Sequence, residues 1–138
     1  MKVIIAGSRG LEAPENEWWI IHAVIESGFP VTEVVCGEAR GVDVAGKQWA
    51  HKAGVLVKSF PANWNLYGPG AGAIRNAEMA NYADALIAVW DGVSPGTKNM
   101  IDLAHAKGLK VYVEHVVRSG NGEPVTQSPI AVLGGSIE

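Results

Sequence analysis

The chain alternates short apolar runs with longer segments whose apolar residues recur every three or four positions, the period change expected of strands followed by crossover helices. Residues 2–6, 33–36, 55–60, 85–90 and 110–113 read as strands, four of them bounded by Gly or Pro. Between them, residues 15–26, 42–53, 71–82 and 97–107 each have room for about three helical turns. In the second of these, Val42, Ala45, Trp49 and Ala53 fall at helical spacing and Gly54 follows as a C-terminal stop. In the third, Gly68, Pro69, Gly70 and Gly72 crowd the start and blur its first residue. Five strands strictly alternating with four helices, joined by right-handed crossovers, predict a Rossmann-like, doubly wound three-layer α/β domain with a mainly parallel five-stranded sheet.

Composition narrows the class. With 138 residues, 48% of them hydrophobic, the chain can bury roughly two thirds of its unfolded surface and needs neither a disulfide nor a structural metal. Cys36 is the single cysteine and the four histidines are scattered. A disulfide-stapled scaffold is therefore excluded, and a zinc site is not expected. Eleven Lys+Arg against 14 Asp+Glu give a net charge of −3, which argues against nonspecific binding to duplex DNA or an anionic membrane. The apolar start is broken at Gly7-Ser8-Arg9-Gly10, too early for a signal segment or a membrane span, and no later run is long enough. A cytoplasmic protein is expected. At residue 117 the composition changes: 118–124 is a polar breaker cluster and 125–138 lacks a helical period. The reading is therefore a domain over 1–116 and, over 117–138, an ordered arm exchanged with a second subunit, an extra strand or a frayed tail. Ile130-Ala131-Val132-Leu133 is apolar enough to want a partner surface.

In an open parallel sheet, ligands bind beyond the carboxyl ends of the strands, and the punctuated polar segments here all follow strands. They are Gly7-Ser8-Arg9-Gly10, Gly37-Glu38-Ala39-Arg40-Gly41-Val42-Asp43, the stretch 61–72 with Arg75 and Asn76 beyond it, and 91–97. Glycines allow close backbone approach, and Ser94-Pro95-Gly96-Thr97 opening a helix makes an anion cradle. Arg9, Arg40 and Arg75 could supply guanidinium forks for phosphate. Alternatively, Arg9 and Arg40 are loop charges and Ser94 and Thr97 are helix caps. Asp43 reads either as an N-cap or as a ligand contact, and Asp91 as a turn residue or a general base. Asn63, Trp64, Tyr67 and Asn76 line a base or sugar pocket, or Trp64 and Tyr67 close the core edge. Trp49 belongs to the core. The adjacent Trp18 and Trp19 must face different ways, one onto the sheet and the other outward or into a subunit contact. His22, His51, His105 and His115 lack metal spacing, and Cys36 reads as a small buried hydrophobe.

Taken in order, several motifs resemble the YspA/YpsA-related branch of the SLOG superfamily. They are Gly7-Ser8-Arg9, the block from Cys36 to Asp43 with Trp49-Ala50, Pro61-Ala62-Asn63-Trp64, Arg75-Asn76-Ala77-Glu78-Met79, and Trp90-Asp91-Gly92-Val93-Ser94-Pro95-Gly96-Thr97. The similarity spans about residues 2–113. It implies a Rossmann-like fold that senses or processes nucleotide-derived ligands. More distant relatives are the "lonely guy" phosphoribohydrolases and the DNA-processing protein that loads recombinase onto single strands. The phosphoribohydrolases carry Arg-Lys-x-x-Met, then Pro-Gly-Gly-x-Gly-Thr followed by a catalytic glutamate. Arg75-Asn76-Ala77-Glu78-Met79 and Ser94-Pro95-Gly96-Thr97 match these in part, but Lys98, Asn99, Met100 and Ile101 follow, and the glutamate is missing. Asp102 lies five residues past Thr97, beyond the place of the glutamate, and Glu38 stands where this branch usually has a small residue.

The resulting expectation is a homodimer that binds a small phosphate-bearing nucleotide, with no cofactor, metal, membrane or nucleic-acid partner. Ser8, Arg9, Gly96 and Thr97 would hold the phosphate, and Arg40, Asp43, Trp64 and Arg75 would sit near base or ribose. Gly7, Gly37, Gly41, Asn76 and Ser94 would complete the site. The alternative is an N-glycosidic hydrolase of nucleoside monophosphates in which Glu38, Asp91 or Asp102 replaces the missing glutamate. A third reading, a single-strand nucleic-acid binder, has little support from the charge balance.

Overall fold

The computed structural model describes residues 1–11, 15–39, 41–118 and 124–127. Strand β1 (Lys2–Gly7) runs through the middle of the sheet, with Val3, Ile4 and Ile5 closed to solvent. A strand with no polar alternation must be covered on both faces, and this one is. It pairs in parallel with β2 (Glu33–Cys36) on one side and β4 (Ala85–Trp90) on the other. Strand β3 (Leu56–Ser59) lies outside β2, and β5 (Lys110–Arg118) lies outside β4, both parallel. Five parallel strands between helices make the Rossmann-like α/β fold that the periodicity predicts. A sixth strand, β6 (Pro124–Gln127), pairs antiparallel with the far half of β5, giving the order β3-β2-β1-β4-β5-β6. The chain winds outward from β1 to β3, crosses back, and then winds outward from β4, so the strand order reverses between β1 and β4.

Helices α1 (Glu15–Ser27) and α2 (Val42–Ala53) cover one face, where Val3, Ile5, Trp19, Ile20, Val34, Ala45 and Ile87 share one core cluster. The short α3 (Trp64–Tyr67) and a 3₁₀ turn, Gly68–Gly70, lead into α4 (Ala71–Tyr82). With α5 (Pro95–Ala106), α4 covers the other face, where Ile4, Ala6, Met79, Leu86, Met100 and Ala104 form the second cluster. Successive strand residues feed opposite clusters because strand side chains alternate.

Two element boundaries differ from the sequence reading by more than one residue. Helix α5 starts at Pro95 rather than Thr97, since proline's fixed φ and missing N–H suit the first helical turn. Strand β5 runs to Arg118 instead of ending at 113, because β6 supplies hydrogen bonds along its far half. Trp19 is buried and Trp18 is 55% exposed, the division required of adjacent helical residues. Trp49 is only partly buried, packed against the core. Cys36 is buried at the end of β2, and burial raises its thiol pKa. Residues 128–138, including the apolar run 130–133, lie outside the described residues.

Candidate ligand-binding site

At the reversal point, the carboxyl ends of the central strands open into a cavity of about 570 Å³. Its walls come from four segments: the loop after β1 (Gly7, Arg9), the start of α2 with the residue Ala39 before it, α3 and α4 (Trp64, Arg75, Asn76), and the start of α5 (Ser94, Gly96, Thr97).

The start of α5 is held by Asp91. One carboxylate oxygen of Asp91 accepts the Val93 N–H at 2.9 Å and the Ser94 N–H at 2.8 Å, and the other accepts the Ser94 hydroxyl at 2.7 Å. Burial acts to raise the pKa of Asp91, but the hydrogen bonds from Ser94 and the Val93 amide outweigh it, and the pKa is lowered. The Ser94 hydroxyl is thereby spent on Asp91 and caps no helical amide. Lys98 N–H is the first to bond back, to the Ser94 carbonyl at 3.2 Å. The amides of Gly96 and Thr97, two and one residues earlier, lie in the first turn, where a helix supplies no acceptor, and both residues line the cavity. Asp91 is the turn residue of the two readings made from sequence, and it does not line the cavity.

Asp43 is the second residue of α2, whose N-cap position belongs to Gly41, so it is not the helix cap. Its side chain is 5% exposed and lines the cavity, with Oδ1 accepting the Gly7 N–H at 3.2 Å. Burial pushes its pKa to about 6, against the opposing influence of Arg75, the Gly7 and Ala39 amides and Arg9. Gly41 itself has φ 76°, and a Cβ there would stand 2.8 Å from the Ser8 and Arg9 carbonyl oxygens, so glycine is what lets this turn close on the β1 loop.

Arg75, 8% exposed, projects from α4 into the same wall. Its Nη1 donates to the Gly37 carbonyl and its Nε to Asn76 Oδ1 at 3.0 Å. A Cβ at Gly37 would stand 2.7 Å from Nη1, so a larger residue there would make the guanidinium shift. Asn76 in turn donates to Asn99 Oδ1 at 2.9 Å and to the Gly96 carbonyl at 3.3 Å, tying α4 to the start of α5.

Of the residues expected from sequence, Gly7, Arg9, Asp43, Trp64, Arg75, Asn76, Ser94, Gly96 and Thr97 converge on the cavity. Ser8 does not reach it: the residue is 1% exposed and its hydroxyl accepts the Asp91 N–H at 3.1 Å, a clasp between two loops. Gly37 borders a smaller adjoining depression of about 160 Å³, together with Glu38 and Ala62. Glu38, at φ 65°, turns to Lys47, 2.9 Å away; hydrogen bonds with Ser59 and Lys47 lower its pKa. Asp102 pairs with Lys98 on the exposed side of α5 at 2.8 Å. Asn63 caps α3 by accepting the Leu66 N–H, and the exposed Tyr67 is not in the wall. Arg40 lies outside the described residues. The sequence reading missed Asn99 and Met100 as wall residues; they sit three and four positions after Gly96, and helical spacing alone would have found them. Among the described residues no His, Cys, Asp or Glu cluster is placed to hold a metal, and no helix is long and apolar enough to cross a membrane.

Fold and cavity together define an α/β domain with an open cavity at the topological switch point. A sequence profile of the YspA, cpYpsA-related SLOG family matches residues 1–67. The Gene 61 protein of Mycobacterium phage D29 is 30% identical over 116 residues, 80% of this chain and 93% of the phage protein. The chain belongs to the YspA/cpYpsA-related SLOG family. In structure it is similar to DNA processing protein A (DprA) from Streptococcus pneumoniae, with a TM-score of 0.62 over 81% of this chain at 17% identity, a likeness of fold. The chain spans about half of DprA, 49% of its length.

Proposed function

We propose that the protein binds a small nucleotide-derived, phosphate-bearing ligand at the carboxyl edge of its sheet, and so senses or sequesters it. The observation that carries this reading is the junction of the Gly96 and Thr97 residues, whose amides bond to no described residue, with Arg9 in one cavity. Oriented amides and guanidinium groups are the two donors that phosphate favours most. Trp64, half exposed in the same wall, offers an indole face for a base. In this reading the protein acts in the cytoplasm as a homodimer.

Glu38, Asp91 and Asp102, the carboxylates named for hydrolysis, are absent from the wall of the main cavity. Asp43 does line it, and this favours a second reading, an N-glycosidase in which Asp43 supplies the carboxylate. The test is thermal-shift and calorimetric screening of nucleoside mono- and diphosphates, cyclic nucleotides and ADP-ribose, with free base assayed in parallel. A ligand at a hundredfold over its Kd adds about 2.7 kcal/mol of stability. Stabilisation without base release supports binding. Base release that is lost in Asp43→Asn supports the hydrolase. No stabilisation by any compound overturns both.

A further inference from the structure

Asp43 and Arg75 are a buried acceptor and a buried donor in one cavity wall, and the protein satisfies neither completely. Asp43 accepts the Gly7 amide, the Ala39 amide helps to hold its charge, and no side chain donates to it among the described residues. Arg75 uses Nε on Asn76 and Nη1 on Gly37, and its Nη2 has no hydrogen-bond partner among the described residues. That Nη2 faces Gly72, another wall residue: a Cβ built there would stand 3.8 Å from it, and 3.5 Å from the ring of Trp64. A carboxylate repels phosphate, so the anion belongs with the Gly96 and Thr97 amides and Arg9. Asp43 and Arg75 must meet a different part of the ligand.

Resting on the proposed phosphate-binding reading, we infer that Asp43 and the Nη2 end of Arg75 read the cis-diol of a ribose, making the site selective for ribonucleotides over deoxyribonucleotides. An ionised carboxylate only accepts and a guanidinium only donates, whereas a hydroxyl does both. A pair of neighbouring hydroxyls can therefore donate to Asp43 while accepting from Arg75. An amine would leave Arg75 unsatisfied, and a carbonyl would leave Asp43 unsatisfied. A base edge carrying both functions is disfavoured by position. Asp43 is bonded to Gly7 at the end of β1, and the neighbouring strand β4 leads into α5. Asp43 therefore lies beside the strand that leads to the phosphate anchor, in the same cavity wall, which is the place of the sugar that carries the phosphate, and Trp64 is left to the base.

The experiment is calorimetric titration of the full chain with AMP, 2′-deoxy-AMP, GMP and 2′-deoxy-GMP, repeated with Asp43→Asn after its folding is checked by circular dichroism. The expected result is that both deoxynucleotides bind about ten- to hundredfold more weakly than their ribose counterparts, the range of a hydrogen bond to a charged group. Asp43→Asn brings the ribonucleotides down to the deoxynucleotide level. Equal affinity for the two sugars overturns the diol assignment and leaves the phosphate site standing. Discrimination by base instead of sugar overturns it too, as does sugar discrimination that survives in Asp43→Asn. If none of the four binds, the diol assignment is overturned, and the wider screen of diphosphates, cyclic nucleotides and ADP-ribose decides the proposed function separately. The comparison of sugars on the unaltered protein does not depend on any variant folding.

Discussion

Asp43 shows how one residue's placement sets both stability and binding. Its pKa rises from 3.8 to about 6 because burial disfavours its charge more than Arg75 and the backbone amides favour it. The folded state therefore holds this proton more tightly than the unfolded chain. The contribution is most favourable below about pH 4, declines as pH rises through 6, and reaches a cost of about 3 kcal/mol at neutral pH. Chemical denaturation from pH 4 to 7.5 checks it: the wild-type curve falls relative to Asp43→Asn across that window, and parallel curves would show that Asp43 titrates normally. Arg9 behaves oppositely, being an exposed residue of the cavity wall whose side chain makes no hydrogen bond among the described residues. Arg9→Ala should weaken AMP by about 1.5–3 kcal/mol and leave the melting temperature unchanged, measured by calorimetry on the same sample. The sequence placed Asp43 correctly at a helix start but left cap and ligand contact open. The folded turn gives the cap to Gly41, two residues earlier, and leaves Asp43 in the cavity wall.

Among the elements, the α4–α5 contact carries the site. Asn76 accepts from Arg75 and donates to both Asn99 and the Gly96 carbonyl, so one buried amide fixes the guanidinium and the amide-bearing helix start together. Asn76→Ala should lower stability by about 1–3 kcal/mol, the cost of leaving buried partners unsatisfied, and also weaken AMP. Thermal melts and titrations read the two effects separately, and a loss of stability at unchanged affinity would show that α5 keeps its position without this link. The helices and strands were legible because their apolar periods differ, and because Gly54 marks a helix end. Strand β5 was cut short in the sequence reading because Glu114 and His115 interrupt its apolar run. In the fold Glu114 is fully buried, accepting from the Tyr112 hydroxyl at 3.1 Å and paired with His22 Nδ1 of α1 at 2.8 Å. A charge whose partner lies 92 residues away in the chain looks, from sequence, like the end of a strand.

At the scale of the whole molecule, the class of fold follows from alternation alone, and the location of the site follows from the switch-point rule. What sequence leaves largely unread is the extent of surface that no described element of the chain covers. On α1, Trp18, Ile21 and Ile25 are all exposed, at spacings of three and four residues that put them on one helical face. None of them lines the cavity. This stripe is where the proposed homodimer would pair, each copy presenting the same face about a two-fold axis. Trp18 stacks on His22, 5.0 Å between ring centroids, so altering it would also disturb the Glu114 pair. Ile25, at 69% exposure, is the cleaner probe. Burying one isoleucine contributes about 1.5–3 kcal/mol, and a symmetric interface counts it twice. Ile25→Glu should therefore weaken dimerisation at least about a hundredfold, leaving the melting temperature at low concentration and the affinity for AMP unchanged. Sedimentation velocity across a concentration series decides it. A wild-type protein that stays monomeric throughout overturns the dimer, and a variant that still dimerises moves the interface off α1.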